Sequence, residues 1–280
     1  MFKGGAIFII SALTWFSGQA QGAAELCEQS YPVHLTFDDG PSPLLTPKIL
    51  NILAKYRIQA TFFILTSNFK NPAYARTVVP LVQRAVAEGH LIAFHGSEHI
   101  SHTDLRYKNE QIEKNLTDIP GEITPYISPY FRFPYGRGWF RERNPTKDGR
   151  REGIMHFMQS IGKQHIGWDI DTWDWEDGRR KLLPGSLLHQ VCNHAGGIIL
   201  MHDIQFFTAT YLEERVIKPL IAQRHEFKNL EEMRAINERE KKNWSAFQDA
   251  VVGSEFCSGN NGGLKYDQVW QNCSDFKMHQ

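Results

Sequence analysis

The chain of 280 residues has no surplus of either charge, only four cysteines, and no internal repeat or low-complexity tract. Its 31 basic residues match 31 acidic ones, so a nucleic-acid binder that works by neutralising phosphates is a poor reading. An uncharged or weakly charged partner fits better. None of Cys27, Cys192, Cys257 and Cys273 has the spacing of a zinc knuckle or a redox pair. No apolar run reaches the ~20 residues of a spanning helix. The stretch from Ala6 to Phe16 follows Lys3 and gives way to Ser17, Gly18, Gln19 and Ala20, the layout of a secretory signal over residues 1–20. Cleavage is expected after Ala20 or Ala23, leaving an exported protein, periplasmic or secreted, with no stable membrane insertion. An uncleaved buried helix or membrane anchor is the alternative. Export permits disulfides, and Cys257 with Cys273 is the favoured pair because it closes the glycine- and asparagine-rich loop from Gly259 to Gly263. Closure of such a loop contributes ~3 kcal/mol in the chain-entropy model.

What is present is an apolar fraction of 41%, enough for one sizeable buried core. Val33, Leu35 and Phe37 alternate with His34 and Thr36, a strand that runs into Asp38, Asp39 and the turn residues Gly40 and Pro41. Thr46 and Pro47 suit a helix start, and Ile49, Leu50, Ile52 and Leu53 follow at helical spacing before a strand over Ala60 to Leu65. The rhythm repeats. Helices are expected near Val78 to Glu88, Glu110 to Leu116, Met155 to Ile161 and Ser186 to Asn193; strands are expected at Leu91 to Phe94, Tyr130 to Phe133, Ile166 to Ile170 and Ile198 to Met201. Such alternation predicts a mostly parallel α/β sheet, open or closed into a barrel. Arg137 to Gly153 is a long charged connection that reads either as a flap over the site or as a plain surface loop. Residues 241–280 form an aromatic C-terminal extension, with Trp244, Phe247, Tyr266 and Trp270.

Five short motifs fall at strand ends, where α/β sheets collect catalytic groups: TFDDGP (Thr36 to Pro41), HGSEH (His95 to His99), RFPYG (Arg132 to Gly136), DIDTWDW (Asp169 to Trp175) and LMH (Leu200 to His202). His95 and His99, four apart, with a carboxylate from Asp38 or Asp39, make a two-His, one-carboxylate metal site with open positions. If the strand continues, Asp38 and Asp39 point to opposite faces, so one ligates while the other takes a proton. His202 is placed to donate a proton to a leaving group, and Arg132 is a natural partner for an aspartate. Tyr135 offers a backbone N–H or a phenol to a developing oxyanion. Trp173 and Trp175, with Leu200, could wall a pocket for a methyl group or a sugar face.

In this order the five motifs resemble the polysaccharide deacetylase family, which includes chitin, peptidoglycan and chitooligosaccharide deacetylases and acetylxylan esterases. The resemblance covers roughly Tyr31 to Arg239 and implies a catalytic domain over residues 28–240. It implies a distorted (β/α) barrel, a divalent metal that is usually zinc though another transition metal would serve, and removal of acetyl groups from a glycan. By position, Asp38 resembles the base, and Asp39, His95 and His99 the metal triad. Arg132 resembles the residue that orients the base, Tyr135 the oxyanion donor, and His202 the general acid. Asp171, preferred over Asp174, resembles the acid that tunes His202, and Trp175 and Leu200 resemble the acetyl pocket. Gly96 stands where the family often has Ser or Thr, and His102, three beyond His99, leaves open which two histidines bind metal. The expectation is a monomeric, zinc-dependent enzyme removing N-acetyl groups, first from peptidoglycan, then from chitin or its oligomers, then O-acetyl groups from xylan. A catalytically silent glycan-binding protein and a structural zinc protein are the rivals from other classes.

Overall fold

The structure, a computed structural model, describes residues 27–104, 106–136, 150–176 and 182–247. The expected signal, most of the charged connection after RFPYG, and Cys257 and Cys273 lie outside the described residues. No helix among those described is long and apolar enough to cross a membrane.

Strand β1 (Pro32–Asp38) is the hub of the sheet. It pairs in parallel with β2 (Ala60–Ile64), Leu35 opposite Ala60, and with β7 (Gly197–His202), Asp38 opposite His202. Outward from β2 lie β3 (Leu91–Phe94), β4 (Ile127–Phe131) and the short β5 (Gln164–His165); outward from β7 lies β6 (Ile170–Asp171). A further two-residue strand, β8 (Glu226–Phe227), pairs with the first residues of β1. Every pairing is parallel.

The curled sheet is closed by its own chain. Edge strands β5 and β6 are joined only by residues 166–169, which cross the gap between them. The expected strand Ile166 to Ile170 is therefore corrected: the N–H groups of Ile166, Gly167 and Asp169 donate to Phe131, Ala246 and Ile198 instead of to one neighbouring strand. An apolar run at a barrel's seam has partners from several elements, which periodicity cannot show.

The alternation along β1 has a meaning different from the usual one. Val33, Leu35 and Phe37 pack under α1 (Thr46–Tyr56) and α2 (Pro72–Ala87), while His34, Thr36 and Asp38 are also buried, inside the barrel. His34 bonds to Thr61 and to the Lys228 carbonyl, and burial pushes its pKa down to about 4, so it serves there as a neutral hydrogen-bonding filler. Helices α3 (Asn109–Thr117), α4 (Arg150–Ser160) and α5 (Pro184–His194) complete the coat expected from sequence. After β7 come α6 (Phe206–Leu212), a π-helical stretch over Glu213–Ile217, α7 (Lys218–Ala222) and α8 (Leu230–Glu240). Asn229 and Glu232 start α8 with a reciprocal capping box. The extension begins inside this fold: Trp244 and Ala246 are buried, and Ala246 joins an interior cluster with Phe63, Tyr130 and Ile198. Cys27 is bonded to Cys192 of α5, tying the start of the described chain to the coat.

Candidate active site

The motif residues converge at the carboxyl ends of β1, β3, β4, β6 and β7, around a cavity of about 290 Å³. At β1 the strand stops at Asp38. Asp39 is left-handed (φ 77°), its N–H donates to Phe63 O, and Asn68 Nδ2 holds the carbonyls of Asp39 and Gly40. This corrects the expectation of opposite faces, which assumed a continuing strand. Both carboxylates meet His95: Nε2 lies 3.3 Å from Asp39 Oδ1 and 3.8 Å from Asp38 Oδ2.

Asp39, His95 and His99 present one ligand atom each, all within 4.8 Å of one another. His95 Nδ1 faces the Arg132 carbonyl at 2.8 Å, and a carbonyl can only accept. In the neutral ring the proton is therefore on Nδ1, and the Nε2 lone pair faces Asp39. Asp39 Oδ1 is buried with no hydrogen-bond donor, 3.3 Å and 3.4 Å from the Nε2 atoms of His95 and His99. A buried anion facing two ring nitrogens suits a cation between them, and a divalent metal fits the donor set. The third histidine does not join them. His102 is buried with Nε2 on Asn115 Oδ1 at 2.8 Å, and Asn115 Nδ2 donates to Glu98 O, so the pair braces the ligand loop from behind. Gly96 sits at φ 97°, and a Cβ there would lie 2.8 Å from Asn115 Oδ1, which accounts for glycine in place of Ser or Thr.

Arg132 is wholly buried beside the ligands. Its guanidinium donates to Asp38 Oδ1 (2.8 Å), Thr36 Oγ1 (2.9 Å) and the carbonyls of Ile166 (3.0 Å) and Gly167 (2.7 Å), and it stacks 4.0 Å above Phe63. The expected aspartate partner is Asp38. Tyr135, left-handed at φ 58°, sets its ring edge-on against His99 with centroids 4.2 Å apart. Trp175 and Leu200 line the cavity as expected, whereas Trp173 lies tilted against Trp175, 5.7 Å between centroids, outside the lining. Phe133, Trp168 and Gln205 are lining residues that sequence reasoning missed.

Opposite the ligands, His202 Nδ1 bonds to Asp174 Oδ1 at 2.8 Å. Asp174 is fully buried, and its other oxygen accepts from His202 N (2.7 Å) and Thr208 Oγ1 (2.5 Å). The preference for Asp171 is thus corrected: its carboxylate caps the Trp173 N–H at 2.8 Å while it lines the cavity. The left-handed turn at Trp173 (φ 56°) is what carries Asp174 beneath His202, and spacing alone could not show it. Burial works against charge on His202, but Asp174 first, then Asp38 and Asp39, raise its pKa to about 9. Asp203, buried against Gly40 and bonded to Thr46, is pushed by burial up to about 7.

Beside this geometry, comparison with known sequences finds relatives of one family. The profile of the family described as polysaccharide deacetylase covers residues 27–148. A chitooligosaccharide deacetylase from Sinorhizobium fredii is 31% identical, over 61% of this chain and 71% of its own length. The chain belongs to the polysaccharide deacetylase family. Peptidoglycan-N-acetylmuramic acid deacetylase PdaC from Bacillus subtilis is 31% identical over 213 residues, 75% of this chain, and this chain spans 40% of that relative's length. The solved structure of peptidoglycan deacetylase PdaC from Bacillus subtilis superimposes with a TM-score of 0.56 at 27% identity, covering 76% of this chain and 94% of that one. The half-barrel sheet with its helical coat is thus the deacetylase fold.

Proposed function

We propose that this protein is a metal-dependent hydrolase that removes N-acetyl groups from N-acetylglucosamine residues of a cell-envelope glycan, peptidoglycan foremost. The observation that carries this is the pairing of Asp38 and His202 side by side at the ends of adjacent parallel strands, flanking the triad of Asp39, His95 and His99. A divalent cation held by that triad, zinc in the first instance, supplies Lewis acidity toward a carbonyl oxygen and toward water. Asp38, fixed by Arg132, takes the proton of the attacking water. His202, kept protonated by Asp174, gives its Nδ1-anchored ring's other proton to the departing amine. The left-handed turn at Tyr135 places that residue over His99, where its N–H can serve a developing oxyanion. Trp175 and Leu200 bound a space suited to the acetyl methyl.

The peptidoglycan preference rests on the relatives named above and on the expected export signal; chitin oligomers come next. A silent binding role would be marked by loss of a base, acid or ligand, and the chain keeps a candidate for each. The test is acetate release from peptidoglycan and from chitin oligomers by the protein from about Gln21 onward, with chelator and with zinc restored. Asp38→Asn is expected to abolish release while metal stays bound. A fully active Asp38→Asn protein removes the base assignment; no release by wild type from any acetylated glycan removes the reading.

A further inference from the structure

Next in sequence to Gln205, a residue of the cavity lining, the surface exposes large apolar side chains. Phe206, at the start of α6, is 66% exposed, and Leu44, in the turn before α1, is 76% exposed. Thr46 bonds to Asp203 and thereby joins the two turns, and Lys48 Nζ lies 5.8 Å from the centre of the Phe206 ring. Leu44 precedes Lys48 by four residues, in a segment already helical in its bonding, since Thr46 N donates to Ser42 O. The two lie about one turn of chain apart. Between Phe206 and the cavity stands Gln205, which lines the cavity and whose N–H donates to His202 O at 3.3 Å. Continuity with the cavity mouth identifies what this patch would meet: whatever chain extends beyond the reacting sugar.

The chemistry agrees. An open phenyl face beside aliphatic carbon suits the C–H face of a pyranose, and stacking contributes affinity without demanding a fixed hydrogen-bond pattern. Lys48 is exposed, and among the described residues its recorded contact is with the Phe206 ring and not with a carboxylate, which leaves its ammonium able to meet an anionic ligand. Resting on the deacetylase reading above, we propose that Leu44, Lys48 and Phe206 form a second sugar subsite. It seats the glycan residue adjoining the one that reacts, its ring on Phe206 and a carboxylate substituent on Lys48. The subsite thereby favours a glycan with carboxylated sugars over a neutral one of equal length.

The experiment compares wild type, Phe206→Ala, Phe206→Tyr and Lys48→Gln on a single N-acetylated sugar, a neutral chitin tetramer and a carboxylate-bearing peptidoglycan tetrasaccharide. Phe206→Ala is expected to lower kcat/KM about tenfold on both oligomers, equal to about 1.4 kcal/mol, chiefly through KM, and to leave the single sugar within about twofold. Phe206→Tyr restores the oligomer values. Lys48→Gln is expected to lower the carboxylated substrate alone, about fivefold, as for a solvent-exposed ion pair. Equal losses on the single sugar, no loss on oligomers, or an equal effect of Lys48→Gln on the neutral tetramer overturns the proposal. Calorimetric binding of the same oligomers to Asp38→Asn protein separates this subsite from the catalytic reading: weakening by Phe206→Ala supports the subsite even if no acetate is released, and unchanged binding overturns it.

Discussion

Replacing Asp174 by Asn tests which acid governs His202. The wild-type imidazole has its pKa raised to about 9, with Asp174 the first of the groups working against burial. A group that must donate a proton acts while protonated, so activity persists through neutral pH and is lost as pH rises through about 9. Asn keeps an oxygen for the His202 N–H and Thr208 Oγ1, which bond to the same carboxylate oxygen. Its amide N–H then faces Nδ1 and opposes the imidazolium. With the pKa returned to the ordinary 6.5, the protonated fraction at pH 8 falls from about 90% to about 3%, close to a thirtyfold loss. The assay is the pH profile of kcat for acetate release between pH 6 and 10, with bound metal quantified in parallel. Asp171→Asn, at a carboxylate that caps Trp173 N–H, is expected to leave the alkaline limb in place. An unmoved limb in Asp174→Asn, or a moved one in Asp171→Asn, refutes the argument.

Other outcomes follow from the same geometry. His99→Ala is expected to lose at least about tenfold in metal affinity, whereas His102→Ala keeps the three ligands and chiefly lowers stability through Asn115; metal titration of the two variants decides, and equal losses would make His102 a ligand. Gly40→Ala would put a Cβ 2.1 Å from the Asp203 carboxylate oxygens, so a loss of more than about 2 kcal/mol together with activity is expected in denaturant unfolding. A variant as stable as wild type would show that Asp203 can retreat. Reducing Cys27–Cys192, which closes a separation of 165 residues, is expected to cost about 3–5 kcal/mol; an unchanged Tm under reductant contradicts the linkage.

Much of the centre was legible because most of its candidate ligands and acids sit within one or two residues of a strand end, and strand ends are read from apolar runs; His99, five residues beyond β3, was found by its spacing from His95 instead. Asp38, Asp39, His95, Arg132 and His202 all follow that rule. The misreadings arise where the backbone departs from regular geometry. Left-handed residues at Asp39 and Trp173 decide which carboxylate faces what, and residue type alone does not fix such positions, least of all for a tryptophan. His102 shows the converse limit: three histidines at suitable spacing look alike in sequence, and Asn115, thirteen residues on, is what withdraws one of them.

Arg132 explains why fold and site could not be read separately. Sequence suggests a charge partner for an aspartate, and the structure finds that pair, but the same guanidinium also holds the carbonyls of Ile166 and Gly167 where the chain crosses from β5 to β6. A buried guanidinium is tolerated only when its donors are met, and here one anion, one hydroxyl and two carbonyls meet them. The barrel's seam and the orientation of the proposed base therefore depend on one planar fork, which lysine, a point donor on a flexible stem, could not replace. Neither end of that link is close in sequence to the other: Asp38 ends the first strand, and Gly167 belongs to the last crossing. Closure of the sheet is thus what delivers a positioned carboxylate to the ligands.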